Sequence, residues 1–116
     1  MRSVRLLSAG LLLSSALGCH SAYIETTIRN RTDQPVTLVE LDYPSASFGT
    51  QEIAPGREFH YRFKVLGSGK LKLIYTDTAR AEHDIPGPEL KEGDEGLLLV
   101  TITPTGAQWQ PTLRIH

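Results

Sequence analysis

From Tyr23 onward the chain alternates apolar and polar residues in short runs, each closed by turn-forming residues, with turns recurring at spacings near ten. Ile24, Thr26 and Ile28 fall on one side of the first run and Glu25, Thr27 and Arg29 on the other, the period-two pattern of a half-buried strand. Asn30 to Pro35 is turn chemistry, because Asn and Asp can bond their own backbone and Pro35 fixes a dihedral. The second run, Val36 to Tyr43, turns Val39, Leu41 and Tyr43 inward and Leu38, Glu40 and Asp42 outward. Val36 is out of phase with that set, which predicts a bulge near Thr37. Pro44 closes this strand, and a weaker one interrupted by Gly49 runs from Phe48 to Ile53.

Between Arg57 and Ile85 the pattern is strongest. Phe59, Tyr61, Phe63 and Val65 alternate with His60, Arg62 and Lys64, and beyond Gly67-Ser68-Gly69 the alternation resumes with Leu71, Leu73 and Tyr75 against Lys70 and Lys72. A three-residue hairpin loop pairs Val65 with Leu71, Phe63 with Leu73 and Tyr61 with Tyr75. The same logic at Asp77-Thr78-Ala79 sets Ala81 against Tyr75, His83 against Leu73 and Ile85 against Leu71, giving a three-strand meander. Pro86-Gly87-Pro88 is expected to break the sheet and Glu89 to Gly96 to form a polar loop. Leu97 to Thr103, apolar on both faces in its first half, predicts a central strand covered on both sides there. Ala107 to Ile115 alternates Trp109, Pro111, Leu113 and Ile115 with polar partners. A two-residue loop pairs Ile102 with Trp109 and Leu98 with Leu113, and Pro111 assigns this strand to an edge. The fold class that follows is all-β: a single antiparallel β-sandwich, immunoglobulin-like or cupredoxin-like, of about seven or eight strands over residues 23–116. Its expected core is Ile28, Leu41, Tyr61, Phe63, Leu73, Leu98, Val100, Ile102, Trp109 and Leu113.

Upstream of the sandwich the pattern changes. Arg2 and Arg5 precede an unbroken run of twelve largely apolar residues from Leu6 to Leu17. That is short of the roughly twenty that a membrane-crossing helix requires, so the segment reads as a secretory signal. It ends at Ala16-Leu17-Gly18-Cys19, which holds the one cysteine of the chain. A small residue before a cysteine at the end of such a run resembles the lipobox of bacterial lipoproteins, although Ala16 stands where that class usually has leucine. The resemblance covers the first nineteen or so residues and implies cleavage between Gly18 and Cys19, with diacylglycerol on the Cys19 thiol. It also implies that residues 1–18 are a signal peptide and residues 19–22 a lipidated terminus and short tether. In lipoproteins of double-membrane bacteria, His20 rather than Asp beside the cysteine implies delivery to the outer membrane, facing the periplasm.

Composition narrows the function. Removal of residues 1–18 leaves 98 of the 116 residues, room for one small domain, and loss of Arg2 and Arg5 takes the formal net charge from −1 to −3. Such a weakly acidic domain has no electrostatic case for nucleic acid. A single cysteine forms no internal disulfide, so stability must come from apolar packing.

Four candidate chemistries remain. Arg62, Lys64, Lys70 and Lys72 converge on the outer face of the expected meander, a candidate anion-binding surface for glycan or lipid phosphate; the competing reading is a charge ladder in which Asp84 opposes Lys72 and Glu40 and Asp42 lie on a neighbouring strand. Glu89, Glu92, Asp94 and Glu95 invite calcium but match no calcium loop, so a solvated turn is expected. His20, His60, His83 and His116 are scattered, which argues against zinc, and no serine sits in a nucleophile elbow. The segment Tyr43 to Phe48 could dock into a partner if its aromatic rings are exposed. We therefore expect no enzyme and no cofactor. The sequence points instead to a lipid-anchored cell-envelope protein whose sandwich is a binding or structural module, with membrane lipid as one partner through acylated Cys19 and an envelope protein or glycan as another. The competing expectation is a small inhibitor or anionic-ligand module that uses residues 43–48 or the basic residues 62–72.

Overall fold

A computed structural model describes residues 22–114. The described residues form eight strands: β1 (Ile24–Asn30), β2 (Val36–Tyr43), β3 (Ala46–Ile53), β4 (Glu58–Phe63), β5 (Gly69–Thr76), β6 (Glu82–Leu90), β7 (Gly96–Thr103) and β8 (Gly106–Leu113). They make two four-stranded sheets, one in the order β4-β1-β7-β8 and the other β3-β2-β5-β6. The expected β-sandwich is the observed fold. All neighbours run antiparallel except β1 and β7, which pair in parallel from Ile24↔Gly96 to Asn30↔Ile102. No tight turn joins those two strands: the chain builds the whole second sheet between them, so their relative direction is not dictated by a hairpin.

The alternating residues meet between the sheets. Ile24, Ile28, Val39, Leu41, Leu71, Leu73, Leu98, Val100 and Ile102 are all at most 2% exposed. Phe63 and Val65 join them at 4% and 1%. Asn30 is also fully buried. Its Nδ2 donates to the carbonyls of Gln34 (2.8 Å) and Ile53 (2.9 Å), while its Oδ1 accepts from the N–H (2.9 Å) and hydroxyl (2.7 Å) of Thr32. The Asn30 side chain thereby fastens the first turn to the end of β3, a role beyond that of a turn former.

The expected bulge is present: pairing of β2 with β5 slips between Thr37 and Glu40, and Leu38 takes the left-handed conformation at φ 49°. That slip lets both Val36 and Val39 point inward, at 3% and 2% exposure, and turns Leu38 out to 60%.

Three expectations of pairing, register and extent are corrected. The first is the meander: β4 pairs with β1, not β5, from Ile24↔Phe63 to Arg29↔Glu58, and residues 64–68 cross between the sheets. The second is register. The turn between β5 and β6 is longer than a three-residue loop, so His83 faces Tyr75 and Ile85 faces Leu73. In the last hairpin the loop starts earlier, so Trp109 faces Val100 and Pro111 faces Leu98. Each slip is two residues, which preserves the face of every side chain. The third is strand extent: β6 continues through Pro86-Gly87-Pro88 to Leu90, with an irregularity between Lys70 and Lys72. It can do so because it is the edge of its sheet, where a residue without an N–H costs no ladder bond.

Burial follows from these edges. The edge strand β4 carries Phe59, Tyr61 and Phe63 toward the other sheet, but only Phe63 reaches the interior; Tyr61 is 43% exposed and stacks on Phe48 at 4.0 Å. Trp109 and Leu113, on the edge strand β8, are half-buried and pack against the core without joining it fully. The central strand β7 is apolar on both sides yet covered on one, for Leu97 is 58% exposed.

Candidate functional site

Gly18 and Cys19, with the whole leader and His20, lie outside the described residues, as do Ile115 and His116. The described chain is held from Tyr23 onward. Gly96 N–H donates to the Tyr23 carbonyl (3.1 Å), the Arg62 guanidinium lies 4.0 Å above the centre of the Tyr23 ring, and Lys64 Nζ lies 5.9 Å from it. Arg62 also pairs with Glu25 at 3.4 Å.

The four basic residues do not converge. With β4 in the other sheet, Arg62 and Lys64 lie beside Tyr23, whereas Lys70 and Lys72 belong to β5. Lys72 sits opposite Asp42 of β2 and reaches Asp84 Oδ2 on β6 at 3.2 Å; Lys70 sits opposite Glu89. The outer face expected to be basic is thus a ladder in which each lysine of β5 meets acids on neighbouring strands. Asp84 meets Lys72 as expected, although diagonally, because the strict partner of Asp84 is Ile74.

The acidic residues of the 91–95 turn are engaged within the fold. Asp94 Oδ2 accepts the Lys91 N–H (2.8 Å), Glu92 Oε1 accepts the Gly67 N–H (3.2 Å), and Glu95 is buried, 3.9 Å from Arg114. Among the described residues no group of three or more His, Cys, Asp or Glu side chains is placed to hold a metal ion. His60 bonds Thr27 through Nδ1 (3.0 Å), and His83 Nε2 lies 2.8 Å from Asp77 Oδ2, with its ring stacked on Tyr75 at 4.6 Å. That bond, helped by the N–H groups of Ala81 and Ala79, holds the Asp77 carboxyl below its usual range. Burial pushes the Tyr75 hydroxyl up, and nearby Asp77 adds to the effect.

Residues 43–48 are a tight hairpin between β2 and β3, not a projecting loop. Phe48 is 8% exposed, and the half-buried Tyr43 packs on Phe63 with ring centres 4.4 Å apart. The exposed aromatic rings that a docking loop would need are absent here. Burial raises the Tyr43 hydroxyl above its usual value, with Tyr61 contributing.

Sequence reasoning missed a hollow on the outer face of the β3-β2-β5-β6 sheet. It is open to solvent, about 870 Å3, and bounded by Leu38, Glu40, Gly49, Gln51, Ile74 and Glu82 among others. The out-of-phase Val36 was its signal, since the bulge that buries Val36 is what turns Leu38 outward. An exposed leucine beside two carboxylates can hold an apolar group next to a cationic one. It offers no nucleophile paired with a base. No helix of the described residues is long and apolar enough to cross a membrane. No family model matches the chain, and neither a curated protein nor a solved structure matches it.

Proposed function

We propose that the chain is a lipid-anchored cell-envelope protein, tethered through acylated Cys19, whose β-sandwich is a non-catalytic binding or structural module. The observation that carries this reading is where the fold starts. Among the described residues both sheets are built from strands that lie beyond Cys19, with β1 beginning at Ile24, so cleavage before Cys19 leaves these eight strands intact. Two or three acyl chains on one residue anchor stably, at about 0.8 kcal/mol per buried methylene, whereas one chain binds only marginally.

The test is Cys19→Ser in the full chain, followed by fractionation and labelled-palmitate incorporation. The wild type takes up label and stays with the outer membrane through a carbonate wash; the variant takes up none and leaves the membrane. A variant still processed and membrane-bound would refute the anchor. The anionic-ligand alternative loses the contiguous basic face it requires, because Lys70 and Lys72 lie among acids.

A further inference from the structure

The described chain starts at one end of the sandwich, and the residues gathered there differ from the polar turns of the opposite end. Pairing of Ile24 with both Phe63 and Gly96 brings Tyr23, the 64–68 crossing and the 91–95 turn to this end. Backbone and side-chain bonds lock the two loops together: Gly93 N–H to the Val65 carbonyl (3.2 Å), Gly67 N–H to Glu92 (3.2 Å) and Glu92 N–H to Ser68 Oγ (3.0 Å). Between the buried Val65 and Gly67, which takes φ +89°, Leu66 is held outward at 56% exposure.

Two residues, His20 and Ser21, separate Cys19 from Ala22, where the described chain begins, so that three Cα–Cα steps join them. Fully extended they span at most about 11 Å. An acylated Cys19 therefore leaves this end no room to move far from the headgroups, whose layer is itself about 5 to 8 Å deep on each side. We propose that the end bearing Leu66 is a bilayer-contacting face, with Leu66 entering the interface and Tyr23, its ring flanked by Arg62 and Lys64, at headgroup level. The occupant is a lipid surface, and the proposal rests on the acylation of Cys19.

Charge decides which lipid matters. Arg62, Lys64, Lys91 and Arg114 at this end are balanced by Glu25, Glu92, Asp94 and Glu95. A balanced face gains little from anionic lipid, so the contact depends on the leucine and the aromatic ring.

The experiment uses the full lipidated chain, purified from membranes and reconstituted in phosphatidylcholine vesicles. With Cys19 blocked by lipid, Leu66→Cys and, at the far end, Thr105→Cys each supply a single thiol for an environment-sensitive fluorophore. The label at residue 66 should show blue-shifted emission and strong quenching by nitroxide-bearing lipid, and the label at 105 neither. Replacing part of the neutral lipid by phosphatidylglycerol should leave both unchanged. Equal water exposure at both positions, in protein whose mass confirms acylation, would overturn the contact while leaving the anchor standing. A blue shift at 66 that fades on dilution and ignores the nitroxide lipid would assign the face to a second copy and also overturn it. Protein without acyl mass would remove the anchor and this inference with it.

Discussion

The indole of Trp109 closes over Gly87, so that a Cβ on that glycine would fall 2.7 Å from Cη2 and Cζ2 of the ring. The two residues sit on β8 and β6, the edge strands of opposite sheets, and their contact seals one side of the sandwich. On the other side Tyr61 of β4 stacks on Phe48 of β3. Gly87→Ala forces the ring away from its seat. We expect a loss of about 1 to 3 kcal/mol in denaturant unfolding and a red-shifted emission from the one tryptophan of the chain.

Phe63 and Tyr61 share a strand and a face but not an environment. Phe63 is 4% exposed amid the core, while Tyr61 is 43% exposed with one ring face in water. Phe63→Ala should cost about 3 to 5 kcal/mol. Tyr61→Ala, which mainly removes the stack on Phe48, should cost about 0.5 to 1.5 kcal/mol. Equal losses would place Tyr61 inside.

Asn30→Ala would take the Nδ2 donor from the Ile53 carbonyl at a buried site and the Oδ1 acceptor from the Thr32 N–H, while the Gln34 carbonyl keeps the Thr32 hydroxyl (2.7 Å). Urea unfolding should show a loss of about 2 to 3 kcal/mol, larger than an ordinary turn substitution produces.

Asp77 gives the domain a pH signature. Its carboxyl is more acidic in the folded chain than in the unfolded one, chiefly through the bond to His83. A lowered folded value stabilises above the unfolded value, near pH 4, and that stabilisation disappears as pH falls through the folded value. Asp77→Asn should therefore be less stable than the wild type at neutral pH, and the gap should close in thermal melts taken progressively below about pH 4.

The sequence disclosed which residues face inward more fully than it disclosed which strands touch. Alternation placed Ile28, Leu41, Leu73, Leu98, Val100 and Ile102 inside, and all are buried. That pattern survives a two-residue slip, which is why the wrong partners for His83 and Trp109 still left them on the right face. The pairing of β4 was hidden for a related reason: Phe59 to Val65 show the same alternation whether the chain folds back in a hairpin or crosses to the other sheet. What decides is tertiary, including the Gly93 bond to the Val65 carbonyl. Placing β4 wrongly gathered Arg62, Lys64, Lys70 and Lys72 on one face, and placing it correctly disperses them. The Leu38 hollow was half legible, since a bulge was expected from Val36 but not the side chain it would expose.

The central proposal is that the native chain begins at an acylated Cys19. Mass spectrometry of the native chain extracted from membranes, intact and after proteolysis, tests this most directly. It should find residues 1–18 missing and an N-terminal Cys19 carrying a diacylglyceryl thioether and an acylated amine. A chain that retains residues 1–18, or one cut elsewhere with a free thiol at Cys19, would contradict it.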